Sequence, residues 1–201
     1  MKIAIYGGAF DPIGTHHLNI ANKIINLNIV DEVWIMPCYV SMSNKKMADA
    51  NHRLNICKLA LECNDNPQIK LCDFEISNKL TLSSIEIIKL FLKEYKTDNN
   101  SDNTFYFLMG ADNAINAPNW NNFNESIKLI PFIIIPRKGY NLHQDLWCFK
   151  QPHVVITDIV EDGSSTEIRN IINKKNTPNS DPNIICTKVK EYINNNNLYY
   201  Y

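Results

Sequence analysis

Short continuous apolar runs alternate with stretches of helical periodicity along almost the whole chain, and few folds accommodate that alternation. Lys2–Tyr6, Val33–Pro37, Ile69–Phe74, Phe105–Met109, Phe132–Ile135 and His153–Thr157 read as strands. Between them, Leu18, Ala21, Ile24 and Ile25 recur at helical spacing, as do Leu54, Cys57, Ala60 and Leu61. Ser83–Tyr95 gives the clearest helix, with Ser84, Ile87, Ile88, Phe91, Leu92 and Tyr95 on one face and Glu86, Lys89 and Lys93 mostly opposite. Thr166–Ile172 and Lys188–Ile193 close the chain as helices. Strands alternating with helices imply right-handed crossovers and an α/β fold: a doubly wound, mostly parallel sheet with helices on both faces. Ligands of such sheets bind outside the carboxyl ends of the strands.

The length of 201 residues suits one domain with a buried core. A formal net charge of −1 provides no large basic surface. That argues against nucleic acid or a membrane surface as partner, so any phosphate-binding patch must be local. The six cysteines form no C-x-x-C pair and no zinc spacing with histidine. Most sit in apolar runs and read as reduced thiols of a reducing compartment, with no metal site built from protein side chains. The opening MKIAIYGG is too short for a signal or membrane segment, so a cytoplasmic location is expected.

Three segments carry chemistry. Gly7-Gly8-Ala9-Phe10-Asp11-Pro12-Ile13-Gly14-Thr15-His16-His17-Leu18 leaves the first strand and enters the first helix. Glycines let phosphates approach the backbone, and the free N–H groups of a helix start favour an anion. A histidine on that first turn can donate to phosphoryl oxygens as charge builds on them. The spacing fits neither a P-loop nor G-x-G-x-x-G. The same stretch also reads as a tight turn with two surface histidines. Gly163-Ser164-Ser165-Thr166-Glu167-Ile168-Arg169 opens a later helix. Its hydroxyls and N–H groups can hold phosphate oxygens and Arg169 can pair with them as a planar fork, although Ser164-x-x-Glu167 is also a capping box. In the middle, Gly110-Ala111-Asp112 ends a strand and Trp120 follows. Gly110 lets a ligand lie against the backbone, Asp112 can bond a ribose hydroxyl and Trp120 can stack on a base. A capping aspartate and a core tryptophan are the plainer alternatives.

These residues together resemble the small nucleotidyltransferases related to class I aminoacyl-tRNA synthetases, the HxGH superfamily, and most closely the bacterial-type nicotinate mononucleotide adenylyltransferases. The resemblance covers Lys2 to Tyr199 and implies a Rossmann-like fold over a single domain, 1–201, whose C-terminal helical portion from about 164 carries Ser-Ser-Thr-x-Ile-Arg. It implies transfer of AMP from ATP to nicotinate mononucleotide, and to nicotinamide mononucleotide as the open alternative. Mg²⁺ would be held mainly by the ATP phosphates, and relatives of this type often pair as homo-oligomers. Carried over residue by residue, His17 and Arg169 are the catalytic candidates. Gly8, Ala9, Phe10, Thr15, His16, Gly110, Asp112, Arg137, Ser165 and Thr166 fall on the ATP side, and Thr81, Trp120 and Lys45 on the mononucleotide side. Arg53 stands where the family has an arginine on the second helix.

The chain departs from the family in places. The family loop reads Gly-Gly-Thr-Phe-Asp-Pro-x-His-x-Gly-His, whereas here Gly14 takes the first histidine position and His16 the glycine. Three arrangements are open: His16 swings in, the Thr15 hydroxyl substitutes, or His17 suffices. Ser41–Lys46 replaces a family Pro-Pro-His-Lys loop, and Leu80-Thr81-Leu82-Ser83-Ser84 keeps only the threonine of Tyr-Thr-x-Asp-Thr. Rival readings are another superfamily enzyme, such as a phosphopantetheine adenylyltransferase, and a non-catalytic nucleotide-binding protein. The first shares the glycine loop but not Gly-Ala-Asp…Trp together with Ser-Ser-Thr-x-Ile-Arg, and ATP binding without pyrophosphate release would mark the second.

Overall fold

The computed structural model describes residues 1–41, 46–96, 102–120, 122–157, 163–173 and 183–200. Six strands form one sheet: β1 (Lys2–Gly8), β2 (Glu32–Pro37), β3 (Ile69–Leu71), β4 (Thr104–Gly110), β5 (Phe132–Ile135) and β6 (Val154–Val155). Their order is β3-β2-β1-β4-β5-β6, and every pairing is parallel. The chain winds outward from β1 to β3, then returns past β1 to begin the other half at β4. That reversal opens a crevice beyond the carboxyl ends of β1 and β4, the ligand position in sheets of this type.

The helices are α1 (Thr15–Asn26), α2 (Ala50–Glu62), α3 (Phe74–Ser77), α4 (Ser84–Lys96), α5 (Ala111–Asn116), α6 (Phe123–Leu129), α7 (Ser165–Asn173) and α8 (Thr187–Asn195). Both sheet faces are covered, and strand parity divides the core. Ala4, Ile133 and Ile135 join Ala21, Ile24, Ile56, Cys57, Val189 and Ile193 on one face. Ile3, Ile5, Phe132 and Ile134 join Ile87, Ile88, Phe91 and Phe105 on the other. Residues of opposite parity in β5 are all buried, which is why its sequence is continuously apolar rather than alternating.

Four expectations need correction. The strand expected over Ile69–Phe74 stops at Leu71, because the chain turns into α3. There the Ser77 N–H donates to the Asp73 carbonyl and the Ser77 hydroxyl to the Asp73 carboxylate, while Phe74 and Ile76 are buried. His153 precedes β6 rather than opening it, and its Nδ1 accepts the Phe132 N–H. The buried stripe of α2 is Ala50, Arg53, Ile56, Cys57 and Ala60, so a charged residue lies where apolar periodicity alone placed Leu54. Cys63 and Cys186 are joined as a disulfide between the end of α2 and the start of α8, instead of being free thiols. Cys38, Cys57, Cys72 and Cys148 are free.

α8 lies along α2, where the Tyr192 hydroxyl meets His52 Nδ1 and Asn55. The tail then runs back to the first loop, and the buried Tyr199 hydroxyl donates to Asp11 Oδ1 at 2.9 Å. Among the described residues no helix is long and apolar enough to cross a membrane.

Candidate active site

The β1–α1 loop is shaped by Phe10, whose φ of 44° is left-handed. That conformation is costly for a bulky residue and persists only where surroundings impose it. Here the ring is buried edge-on against Tyr6 and His17, at 5.4 and 5.1 Å between centroids. Asp11 is buried too. Its Oδ1 accepts the Ala48 N–H, and Arg169 lies 3.7 Å from its Oδ2.

Gly14 caps α1, and its N–H donates to His17 Nδ1 at 3.0 Å. With Nδ1 occupied as acceptor, the neutral ring carries its proton on Nε2. Burial, and then the neighbouring His16, hold the His17 pKa well below its ordinary value. His17 is therefore a neutral donor at physiological pH, placed on the first turn of a helix where anions bind.

His16 packs against His17 with 3.8 Å between ring centroids and the rings tilted by 39°. Burial, and then the charge of Arg137, lower its pKa to about 4. Thr15 is committed elsewhere: its N–H and hydroxyl both donate to the Ile184 carbonyl, at 3.0 and 3.4 Å. Of the three arrangements left open by the altered loop, substitution by the Thr15 hydroxyl has no proton to offer a phosphate.

The start of α7 docks against this loop. The Ser165 hydroxyl donates to the Pro12 carbonyl at 2.9 Å. Arg169 donates to the Asp11 carbonyl at 2.6 Å and to the Thr166 hydroxyl at 3.0 Å, and Ile168 is fully buried. The Ser164 hydroxyl accepts the Glu167 N–H, so it caps the helix while the residues beside it face the loop.

Gly110 ends β4 and caps α5. A Cβ there would stand 2.5 Å from Asp112 Oδ1, so a side chain at this position would displace the carboxylate. Asp112 Oδ2 accepts from Arg137 at 2.9 Å, which ties the ends of β4 and β5 together, and Oδ1 is buried without a hydrogen-bond partner. Arg137 starts a tight turn closed by Gly139 at φ 84°.

The structure thus brings Gly8, Ala9, Phe10, His16, His17, Gly110, Asp112, Arg137, Ser165, Thr166 and Arg169 to the carboxyl ends of β1, β4 and β5 and to the α7 start that docks on them. Trp120 follows α5, partly buried against the second half of the core, and Thr81 is exposed in the loop before α4. Lys45 lies outside the described residues.

Two further residues support the site: Arg53, which the resemblance placed without a role, and Glu75, which sequence reasoning missed. Arg53 is fully buried and donates to the carbonyls of Ala48, Ala9 and Tyr39 at 3.0, 2.8 and 2.9 Å. One guanidinium so fixes the loops that follow β1 and β2. A charged residue on the apolar stripe of α2 was the available signal. Glu75 is buried near it, and burial lifts its pKa to about 7 against the Tyr39 N–H and Arg53.

The cytidylyltransferase-like family matches residues 5–171. A probable nicotinate-nucleotide adenylyltransferase of Caldicellulosiruptor saccharolyticus is 32% identical over 99% of both chains. The nicotinate-nucleotide adenylyltransferase of Bacillus subtilis is 31% identical over 98% of both. Among solved structures, the Plasmodium falciparum nicotinic acid mononucleotide adenylyltransferase complexed with NaAD superposes with a TM-score of 0.83. It is 27% identical, with 98% of this chain and 97% of that one covered. Fold, crevice and relatives agree that the chain belongs to the cytidylyltransferase-like family and, within it, to the nicotinate-nucleotide adenylyltransferases.

Proposed function

We propose that this chain transfers the AMP part of ATP to nicotinate mononucleotide, releasing pyrophosphate and forming the deamido precursor of NAD. One observation carries the reading. A neutral histidine with its proton on Nε2 and an arginine fork meet where the starts of α1 and α7 converge. A 5′-phosphate oxygen of the mononucleotide forms the new bond to the α-phosphorus of ATP. The bond from that phosphorus to the β-bridging oxygen breaks, and pyrophosphate leaves with the electron pair. The attacking phosphate is already an anion, so positioning and charge neutralisation suffice. His17 Nε2–H donates to the developing charge, and Arg169, anchored on Asp11 and Thr166, offers its remaining N–H groups to phosphate oxygens. The α1 N–H groups hold the triphosphate, Asp112 and Arg137 border the ATP side, and Trp120 stacks on the pyridine ring.

Mg²⁺ fits this site as part of the bound nucleotide. Among the described residues no group of three or more His, Cys, Asp or Glu could hold an ion, so phosphates and water would supply most ligands. It would neutralise phosphate charge there. We read residues 1–201 as one nucleotidyltransferase domain working in the cytoplasm, with residues from about 164 onward bringing in α7 and α8.

The test is pyrophosphate release from ATP and Mg²⁺ with nicotinate mononucleotide and nicotinamide mononucleotide offered separately. Release with the acid alone supports the reading as stated. Comparable release with both keeps the reaction and widens the substrate. Release with neither, at an ATP concentration that binds, sinks it.

A further inference from the structure

The segment around α8 grips the loop between β1 and α1 at two points, and the second grip is made under strain. The Ile184 carbonyl, before α8, accepts the Thr15 N–H at 3.0 Å. Tyr199, after α8, has φ 66°, a left-handed conformation that a bulky residue keeps only where its surroundings impose it. The tyrosine is 4% exposed, and its hydroxyl donates to Asp11 Oδ1, 188 residues away in sequence. Packing alone asks for no hydroxyl there, since phenylalanine would fill the same space.

Asp11 is 1% exposed, and its two oxygens differ. Oδ1 accepts twice, from the Ala48 N–H at 3.0 Å and from Tyr199 at 2.9 Å. Oδ2 is buried and, among the described residues, accepts no hydrogen bond, although Arg169 Nη1 lies 3.7 Å away. Closing that gap by about 1 Å would make a charge-assisted hydrogen bond. The torsion that turns a carboxylate is soft, so the bonds to Oδ1 are what hold its plane. Arg169 meanwhile donates from Nη1 to the Asp11 carbonyl at 2.6 Å and from Nη2 to the Thr166 hydroxyl at 3.0 Å, which leaves its other N–H groups for the crevice. A carboxylate free to turn would take one of those groups and draw the fork into the loop.

We propose that Tyr199 is a positioning residue for adenylyl transfer: by holding Asp11 Oδ1 it fixes the carboxylate plane, so that Asp11 attracts Arg169 without taking the N–H groups that the arginine offers to phosphate. This rests on the adenylyl-transfer reading for the phosphate that Arg169 meets.

The experiment compares the wild-type chain with Tyr199→Phe, Asp11→Asn, Arg169→Ala, Tyr199→Phe/Arg169→Ala and Tyr192→Phe. The readouts are pyrophosphate release with nicotinate mononucleotide, ATP binding by calorimetry, and Tm. Tyr199→Phe keeps the buried ring and loses the hydroxyl. It should weaken ATP binding and lower kcat/KM for ATP about tenfold or more, with KM for the mononucleotide within about twofold. In the Arg169→Ala background the same change should move either quantity by less than about twofold. Asp11→Asn reaches the contact from the other side: it keeps an oxygen for Ala48 and Tyr199 but sets an amide before Arg169, and should weaken ATP binding and lower kcat/KM for ATP as well. Tyr192→Phe removes the hydroxyl that meets His52 and Asn55 on the same segment, and should lower Tm with turnover unchanged. Wild-type ATP affinity and turnover in Tyr199→Phe or in Asp11→Asn overturn the proposal. So do equal losses from Tyr199→Phe with and without Arg169, and an equal loss of turnover in Tyr192→Phe, since either means that the tyrosine only stabilises the fold. If the wild-type chain releases no pyrophosphate, the adenylyl-transfer reading fails by itself, and the ATP affinities of the same variants still decide the role of Tyr199.

Discussion

At the meeting of α1 and α7, side chains are locked to backbone: Ser165 to Pro12, Arg169 to Asp11, and His17 to the N–H of Gly14. Across the crevice, Thr81 lies exposed in a loop, Trp120 is partly buried, and the loop after β2 is anchored from beneath by Arg53 and Glu75 rather than by residues that would face a ligand. The contrast follows from what each side must do. Charge that develops on phosphoryl oxygens during transfer is stabilised only by donors already in place, since reorganisation would cost what catalysis gains. A pyridine ring needs a flat apolar surface and a few polar contacts, which loops can supply and exchange. The first side is expected to govern turnover, and the second to govern which mononucleotide is accepted.

The largest effect should come from Arg169. Arg169→Ala removes a fork pinned at two points and should lower kcat by about 10²–10³-fold. Arg169→Lys should recover little, because an ammonium cannot hold the Asp11 carbonyl and the Thr166 hydroxyl and still present a planar pair. Near-complete recovery in the lysine variant would mean that charge alone matters and that the locked geometry is incidental.

His17→Ala should come next, with turnover down about 10²-fold. It should also lower Tm, because the Gly14 N–H loses its acceptor and such caps are worth about 1 kcal/mol. His17→Asn can keep the cap without the Nε2–H, so it should restore Tm but not turnover. An active His17→Ala enzyme would remove the phosphate side's claim to the chemistry.

On the other side, Trp120→Ala should raise KM for the mononucleotide about tenfold, in keeping with ~1–3 kcal/mol for a stacked base, while kcat at saturation stays within about threefold. A fall in kcat with KM unchanged would place Trp120 in the core and erase the division of labour.

How far the sequence disclosed these two sides also differs. The sheet was legible because β4 and β5 are buried on both faces and therefore read as unbroken apolar runs. The short β3 misled because Phe74 is buried whether it sits in a strand or in the turn of α3. On the phosphate side, glycines and hydroxyls at helix starts carry their chemistry in local spacing, so the segments around His17 and Arg169 stood out. What local spacing could not carry was the long-range fit. The hydroxyl of Thr15 turns to Ile184, 169 residues away, and the ring of His16 needs Gly163 as well as Gly14. Arg53 was placed by resemblance but given no role, because its acceptors are carbonyls of two loops, Ala9 after β1 and Tyr39 and Ala48 after β2, that local spacing does not bring together. The Cys63–Cys186 bond was missed for the same reason: 123 residues separate the two thiols, and only the packing of α8 on α2 brings them together.

The smallest predicted effect is on stability against pH, and it separates the two sides by sign. His16 has its pKa lowered to about 4, and His17 well below its ordinary value, chiefly by burial. The unfolded chain takes up those protons near pH 6.5 while the folded chain resists them, so the phosphate side loses stability as pH falls from about 6.5 toward 4. Glu75 has its pKa raised to about 7, also by burial. Its neutral form suits the fold, so its contribution is complete below about pH 4.5, where the unfolded carboxyl is protonated too, and is lost as pH rises toward 7. The two effects oppose each other between about pH 4.5 and 6.5, and three histidines, since burial lowers the pKa of His153 as well, against one carboxyl should leave Tm lower at pH 5 than at pH 7 by a few degrees. His16→Ala should flatten the acid side of the Tm profile. Glu75→Gln should raise Tm at pH 8 relative to the wild-type chain while leaving Tm at pH 4.5 close to it, because glutamine keeps an acceptor for the Tyr39 N–H without a charge to ionise. If Glu75→Gln lowers Tm equally at both pH values, Glu75 is ionised in the fold and paired with Arg53, and the loop after β2 is held by an ion pair as firmly as α7 is held by Arg169.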